Sequence, residues 1–174
     1  GSPSDIQISR VKGTPPAWIV RSGAGNVGYI ASTAEGTQSV GYSGQPIDVL
    51  VGISMNARIT GATLVKHSEP VLTLGISSED ISRYVKAFSG YDLNTTMIEA
   101  FKDSAVLPPI IARATVSTGV IRDAILRTAR TVAIGHGVIA GKAAGIDCTS
   151  FEARTWDELV SDGSIAHIAM SLAE

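Results

Sequence analysis

Arg113-Ala114-Thr115-Val116-Ser117-Thr118-Gly119 gathers three hydroxyls and a guanidinium directly ahead of an apolar stripe of helical period. Ile121, Ala124, Ile125, Thr128 and Val132 share one face of that helix, while Arg122, Asp123, Arg127 and Arg130 fall mostly outside it. Ser117 or Thr118 is placed to cap the helix, its hydroxyl accepting a bond from a free N–H of the first turn. A helix start carries unpaired donors and a partial positive charge, so this end suits a phosphate. An ordinary capped helix uses the same residues, and spacing alone does not separate the two.

His67 and Glu69 form the second candidate pair. They stand two residues apart at the end of a strand and share a face if the strand continues. A solvated strand end is the simpler reading of them. A metal site would need a third ligand, and neither His136 nor His167 has a telling spacing. The one cysteine, Cys148, excludes an internal disulfide or a cysteine cage, and without a base partner it reads as structural. The chain contains no Gly-x-Ser-x-Gly, P-loop or dinucleotide fingerprint. Apart from His67 and Glu69 no proton donor stands out, so the residues alone mark no enzyme.

The elements that must position these groups follow from period and turn chemistry. Trp18–Arg21 and Val27–Ala31 read as strands around a turn at 22–26, followed by a Gly/Ser/Thr-rich loop over 36–44. Residues 46–54 are strongly β, Met55-Asn56-Ala57 turns, and 58–66 pairs back as a hairpin. Ser77 or Ser78 caps a helix with Ile81, Val85 and Phe88 on one face. Residues 89–112 are irregular, with Leu107-Pro108-Pro109 forcing an extended approach to the hydroxyl cluster. The stretch from Thr131 to Ile146, broken by glycines, reads as loop or strand. Thr155 opens a short capped helix, and 164–172 reads as a last strand. Hairpins in place of β–α–β alternation give an α+β class: an antiparallel, hairpin-built sheet packed with a few helices. Residues 1–16 form a polar lead beginning with an expression scar, Gly1-Ser2, and 17–174 a single domain.

Of the 174 residues 44% are hydrophobic and 17% charged, enough for a folded domain with a core. A net charge of −2 makes no electrostatic case for nucleic acid. No apolar run reaches the ~20 residues of a membrane span.

Gly41-Tyr42-Ser43-Gly44-Gln45-Pro46-Ile47-Asp48-Val49-Leu50-Val51-Gly52, then Arg58-Ile59-Thr60-Gly61-Ala62 through Leu64-Val65-Lys66-His67-Ser68-Glu69-Pro70, then Ala114-Thr115-Val116-Ser117 with Ile121-Arg122-Asp123-Ala124-Ile125, taken in order, resemble the FMN-binding domain of the NosR/NirI family. The closing 155–164 segment resembles it too, so the likeness spans roughly residues 28–170. It implies a periplasmic flavin domain, a soluble piece of a membrane protein of nitrous oxide respiration that also carries transmembrane helices and iron–sulfur modules. More distantly the chain is similar to the flavin subunits of the sodium-pumping quinone reductase and the Rnf complex. There, a flavin transferase joins the FMN phosphate to a threonine in a Ser/Thr-Gly-Ala-Thr motif. Aligned on Ala114, that threonine is Thr115, and Arg113, Ala114, Val116, Ser117 and Thr118 surround the phosphate. Arg113 stands where those relatives have glycine. It offers the phosphate a charged fork, or it obstructs the transferase. The resemblance sets Tyr42, Ser43, His67, Glu69, Pro70, Thr73, Leu74 and Gly75 about the flavin. It implies nitrous oxide reductase or another redox protein as partner. It leaves open whether the domain transfers electrons or regulates expression of that reductase.

Overall fold

The computed structural model describes residues 5–23, 25–70, 75–95, 106–141, 152–162 and 164. Five strands form one antiparallel sheet in chain order: β1 (Gln7–Arg10), β2 (Trp18–Ser22), β3 (Gly25–Ser32), β4 (Asp48–Ser54) and β5 (Ile59–Lys66). The described helices of the same unit, residues 1–141, are α1 (Thr33–Gly36), α2 (Ser78–Lys86) and α3 (Thr115–Gly135). The class is α+β, as expected from the hairpins.

Alternation decides which face of the sheet is covered. In β4, Val49, Val51 and Ile53 are buried while Leu50 between them is exposed. Their partners across the ladders, Ala31 beside Val51 and Ile59 beside Ile53, are buried as well. Onto this face α3 lays Ile121, Ile125, Ala129 and Val132, all fully buried, and packs on β3 and β4. α2 packs on β5 with Ile81 and Val85 buried, and Phe88, expected on the same face, is buried just past the helix end. The stripes read from the sequence are therefore the core faces of both helices.

Several boundaries differ from the sequence reading. β1 lies inside the stretch read as a polar lead. It is an edge strand with every residue exposed, so no apolar alternation announces it. One helical turn, α1, follows β3 directly. Ser32 caps it by accepting from the Glu35 N–H at 3.4 Å and donates to Asp48 Oδ1 at 2.6 Å. β2 and β3 run closer together than expected, to Ser22 and from Gly25. Pro46 and Arg58 make isolated bridges, to Val40 and Asp92, outside the strands.

α3 differs most. It starts at Thr115, with Ala114 as its cap residue, and not at Ser117 or Thr118. It also continues to Gly135, so 131–135 is helix and neither loop nor strand. Val132 and Ala133 are completely buried there, and that burial outweighs the glycines around them. The helix closes on Gly137 (φ +72°), the Val138 N–H donating to the Ala133 carbonyl at 2.7 Å, a glycine-dependent helix stop. His136 at that end stacks on Tyr29, ring centroids 4.8 Å apart.

Residues 142–174 form a second compact unit. Within it α4 (Trp156–Ser161) is closed by a reciprocal pair in which Thr155 Oγ1 accepts from the Glu158 N–H and Glu158 accepts from the Thr155 N–H. Arg154 pairs with Glu152 and Asp162. The strand expected over 164–172 lies outside the described residues, apart from Ser164.

Candidate functional site

β5 ends at Lys66, so His67 and Glu69 do not continue the strand and share no strand face. His67 Nδ1 instead accepts the Glu69 N–H at 3.3 Å. Glu69 is not a solvated strand end: it is 6% exposed. Its carboxylate accepts the Tyr42 N–H at 3.0 Å, the Ser43 N–H at 3.1 Å and the Ser43 hydroxyl at 2.8 Å. It also accepts the hydroxyl of Ser117, in the first turn of α3. Burial would push this carboxyl up, but the bonds from Ser117, Ser43 and Tyr42 together hold it below the usual carboxylate range. Gly41 is the residue that makes room. A Cβ there would overlap the carboxylate and come within 2.8 Å of Ile47 Cδ1.

The start of α3 is thus fixed from inside. Thr118 is fully buried and its hydroxyl donates to the Ala114 carbonyl at 2.7 Å. The buried Tyr84 of α2 donates its hydroxyl to the Thr118 carbonyl at 3.2 Å, and burial pushes its phenol up to about 12, Arg122 partly opposing. On the outside of the same turn Thr115 is exposed and Val116 is 56% exposed. Arg113 holds φ +69°, a left-handed conformation that side-chain-bearing residues adopt at a cost. Ala114 makes no side-chain cap bond, and the first turn contains no acidic residue.

The 37–43 loop runs back along α3 from this point. Arg127 donates to Ser39 Oγ at 3.4 Å and Thr128 to Thr37 Oγ1 at 3.5 Å, while Tyr42 and Ser43 meet Ser117 through Glu69. Between loop and helix lies a shallow groove of about 380 Å³ lined by Ser39, Val40, Gly119, Val120, Asp123 and Arg127. Asp123 and Arg127 are paired with each other.

No family model matches the chain. Over all 174 of its residues it is 41% identical to Protein NirI of Paracoccus denitrificans, of which it covers 24%. This chain belongs to the NosR/NirI family. It is 28% identical over 157 residues to Regulatory protein NosR of Pseudomonas aeruginosa, covering 86% of this chain and 22% of that protein. With Regulatory protein NosR of Stutzerimonas stutzeri it shares 26% identity over 172 residues, 94% of this chain and 24% of that protein. It spans about a quarter of the length of the curated relatives it matches.

Among the described residues of this NosR/NirI-family chain, no helix is long and apolar enough to cross a membrane, and no cluster of His, Cys, Asp and Glu is fit to hold a metal. Of the residues singled out from sequence, Tyr42, Ser43, Glu69 and Ser117 meet at one carboxylate, with His67 and Pro70 flanking it in the chain. Arg113, Ala114, Thr115, Val116 and Thr118 form the adjoining helix start. Thr73 and Leu74 lie outside the described residues. Gly75, at φ +78°, precedes the α2 cap, and among the described residues no hydrogen bond joins it to the cluster. Sequence reasoning missed the role of Gly41 and the groove. The Gly-Tyr-Ser-Gly run was the available signal for Gly41, whereas Gly119, Asp123 and Arg127 look like ordinary outer-face residues.

Proposed function

We propose that this chain is an FMN-binding, electron-transfer domain of a NosR-like membrane protein supporting nitrous oxide respiration, with the FMN phosphate esterified to Thr115. One observation carries the reading: three of the segments that resemble the family's flavin domain meet at Glu69, through Tyr42, Ser43 and Ser117, and the outer face of that α3 start carries the exposed Thr115. The fit is chemical. A helix start with no side-chain cap and no acidic first-turn residue accepts a phosphate, and Arg113 supplies a cation beside it. Val40 and Val120, with the bare backbone at Gly119, line part of the groove along the same helix. The flavin, when bound, supplies reversible electron transfer, and its noncovalent neighbours tune that chemistry. The reading implies a flavin transferase for maturation, a periplasmic location, nitrous oxide reductase or another redox protein as partner, and the remaining membrane and iron–sulfur domains as neighbours.

A second reading has the same domain regulating expression of nitrous oxide reductase, with FMN noncovalent or absent. The name Regulatory protein NosR, borne by two relatives, favours it. A reversible flavin absorbance bleached by dithionite separates the first reading from a domain that holds no flavin. The covalent assignment is tested by the mass of denatured protein made with and without a flavin transferase. The parent is expected to gain one FMN with the transferase, and Thr115→Val none while remaining folded, since Thr115 is exposed and a surface change costs within about 0.5 kcal/mol. Flavin retained on the Val variant would overturn Thr115 as the attachment point.

A further inference from the structure

Glu69 is a buried carboxylate with no cation paired to it among the described residues. Four neutral donors satisfy it, from two segments far apart in the chain: the turn at Tyr42-Ser43 and the helix start at Ser117. An ionised group is retained inside a protein only where its bonds replace its hydration. Here they also set an angle. Successive helical residues are rotated by about 100°, so Thr115 lies roughly 200° round the axis from Ser117. Holding the Ser117 hydroxyl inward on a fixed carboxylate turns Thr115 outward. The buried Ala114 and Thr118 on either side agree with that setting.

We propose that Glu69 is the positioning residue of this site: it clamps the 42–43 turn to the first turn of α3 and so fixes the face on which Thr115 is presented. The clamp itself does not depend on flavin. Only its consequence for modification rests on the reading of Thr115 given above.

Glu69→Gln is the informative change. It keeps shape and volume, but one of the two acceptor oxygens becomes an NH2 donor. Whichever way the amide turns, that donor faces a backbone N–H of Tyr42 or Ser43, which cannot accept. Ser117→Ala removes a single bond and leaves the other three, and it serves if the Gln variant does not fold. The first readout is amide hydrogen exchange of the flavin-free protein. Exchange at the bonded amides of Tyr42, Ser43 and Thr118 is expected to rise about tenfold or more in Glu69→Gln, less in Ser117→Ala, with β4 and the middle of α3 unchanged. The second is the rate of flavin attachment by a transferase, expected to fall in the same order while the thermal transition persists.

Parent-like exchange at those amides in both variants would overturn the clamp, whatever the flavin does. Loosened amides with an unchanged rate of attachment would overturn its positioning role. A parent that takes up no flavin would overturn the reading of Thr115 and leave the exchange result to decide the clamp.

Discussion

α2 and α3 begin in opposite ways. α2 closes its own start: Ser77 Oγ accepts the Asp80 N–H at 3.1 Å, and Asp80 accepts the Ser77 N–H at 2.9 Å. The bonds from Ser77 hold the Asp80 carboxyl below its usual range. α3 is the longest helix described, yet its cap residue is alanine and no side chain closes its first turn. Its hydroxyls are spent elsewhere, Ser117 on Glu69 and Thr118 on the Ala114 carbonyl. α2 is therefore specified locally, whereas the start of α3 is specified by the fold around it. A self-capped end has little left to offer a ligand, while the α3 start keeps its outer face open.

If packing and not capping holds α3, deleting part of its buried face should have the largest effect. Ile125 is fully buried against the sheet. Ile125→Ala is expected to cost about 2–5 kcal/mol in denaturant unfolding, from lost transfer energy plus the cavity left behind. A loss below about 1 kcal/mol would mean that α3 is held mainly at its ends, and the comparison would fail.

The caps themselves give a smaller and more pointed contrast. Ser77→Ala removes the bond that the hydroxyl accepts from the Asp80 N–H and the one it donates to Asp80 Oδ2, and should cost about 1 kcal/mol. Ala114→Ser introduces the same hydroxyl at the α3 cap position but should gain less than about 0.3 kcal/mol, well under what a working cap provides. The backbone explains why. Ser77 has ψ 158°, the extended conformation from which a cap side chain reaches the first turn, whereas Ala114 has ψ 31° and is buried. A full kcal/mol gained from Ala114→Ser in thermal unfolding would show that the α3 start lacks a cap by composition alone.

The same contrast separates what the sequence discloses from what it hides. Ser77 and Asp80 are three residues apart, so the α2 start is readable in one glance. The stripe from Ile121 to Val132 and the alternation of Val49, Val51 and Ile53 are readable because burial imposes a period. Ser117 and Thr118 misled because hydroxyls before an apolar stripe look like caps, while the partner that draws Ser117 inward is 48 residues away. Glu69 was legible as a polar residue at a strand end. Its burial was not, since three of its four bonds come from a loop on the other side of β4 and β5. The extension of α3 past Arg130 was hidden by glycines, whose local cost is overridden once Val132 and Ala133 are in the core.

Arg113 supplies the finest test, because the left-handed turn it makes is the step by which the chain enters the open end of α3. At φ +69° a Cβ crowds the following carbonyl, and glycine avoids this at the cost of greater freedom in the unfolded chain. The two terms oppose each other, so Arg113→Gly should stabilise by only about 0.5 kcal/mol. Arg113→Ala keeps the Cβ and the strain and loses only an exposed side chain, so it should leave stability unchanged within about 0.3 kcal/mol. Thermal unfolding of the pair isolates the backbone, and flavin attachment to the same pair isolates the guanidinium. If Arg113 serves the phosphate, Ala and Gly should both reduce attachment by a similar factor although only Gly stabilises. If Arg113 obstructs the transferase, both should increase it. Attachment that follows stability, rising in Gly and unchanged in Ala, would assign the effect of this position to the turn and none of it to the charge.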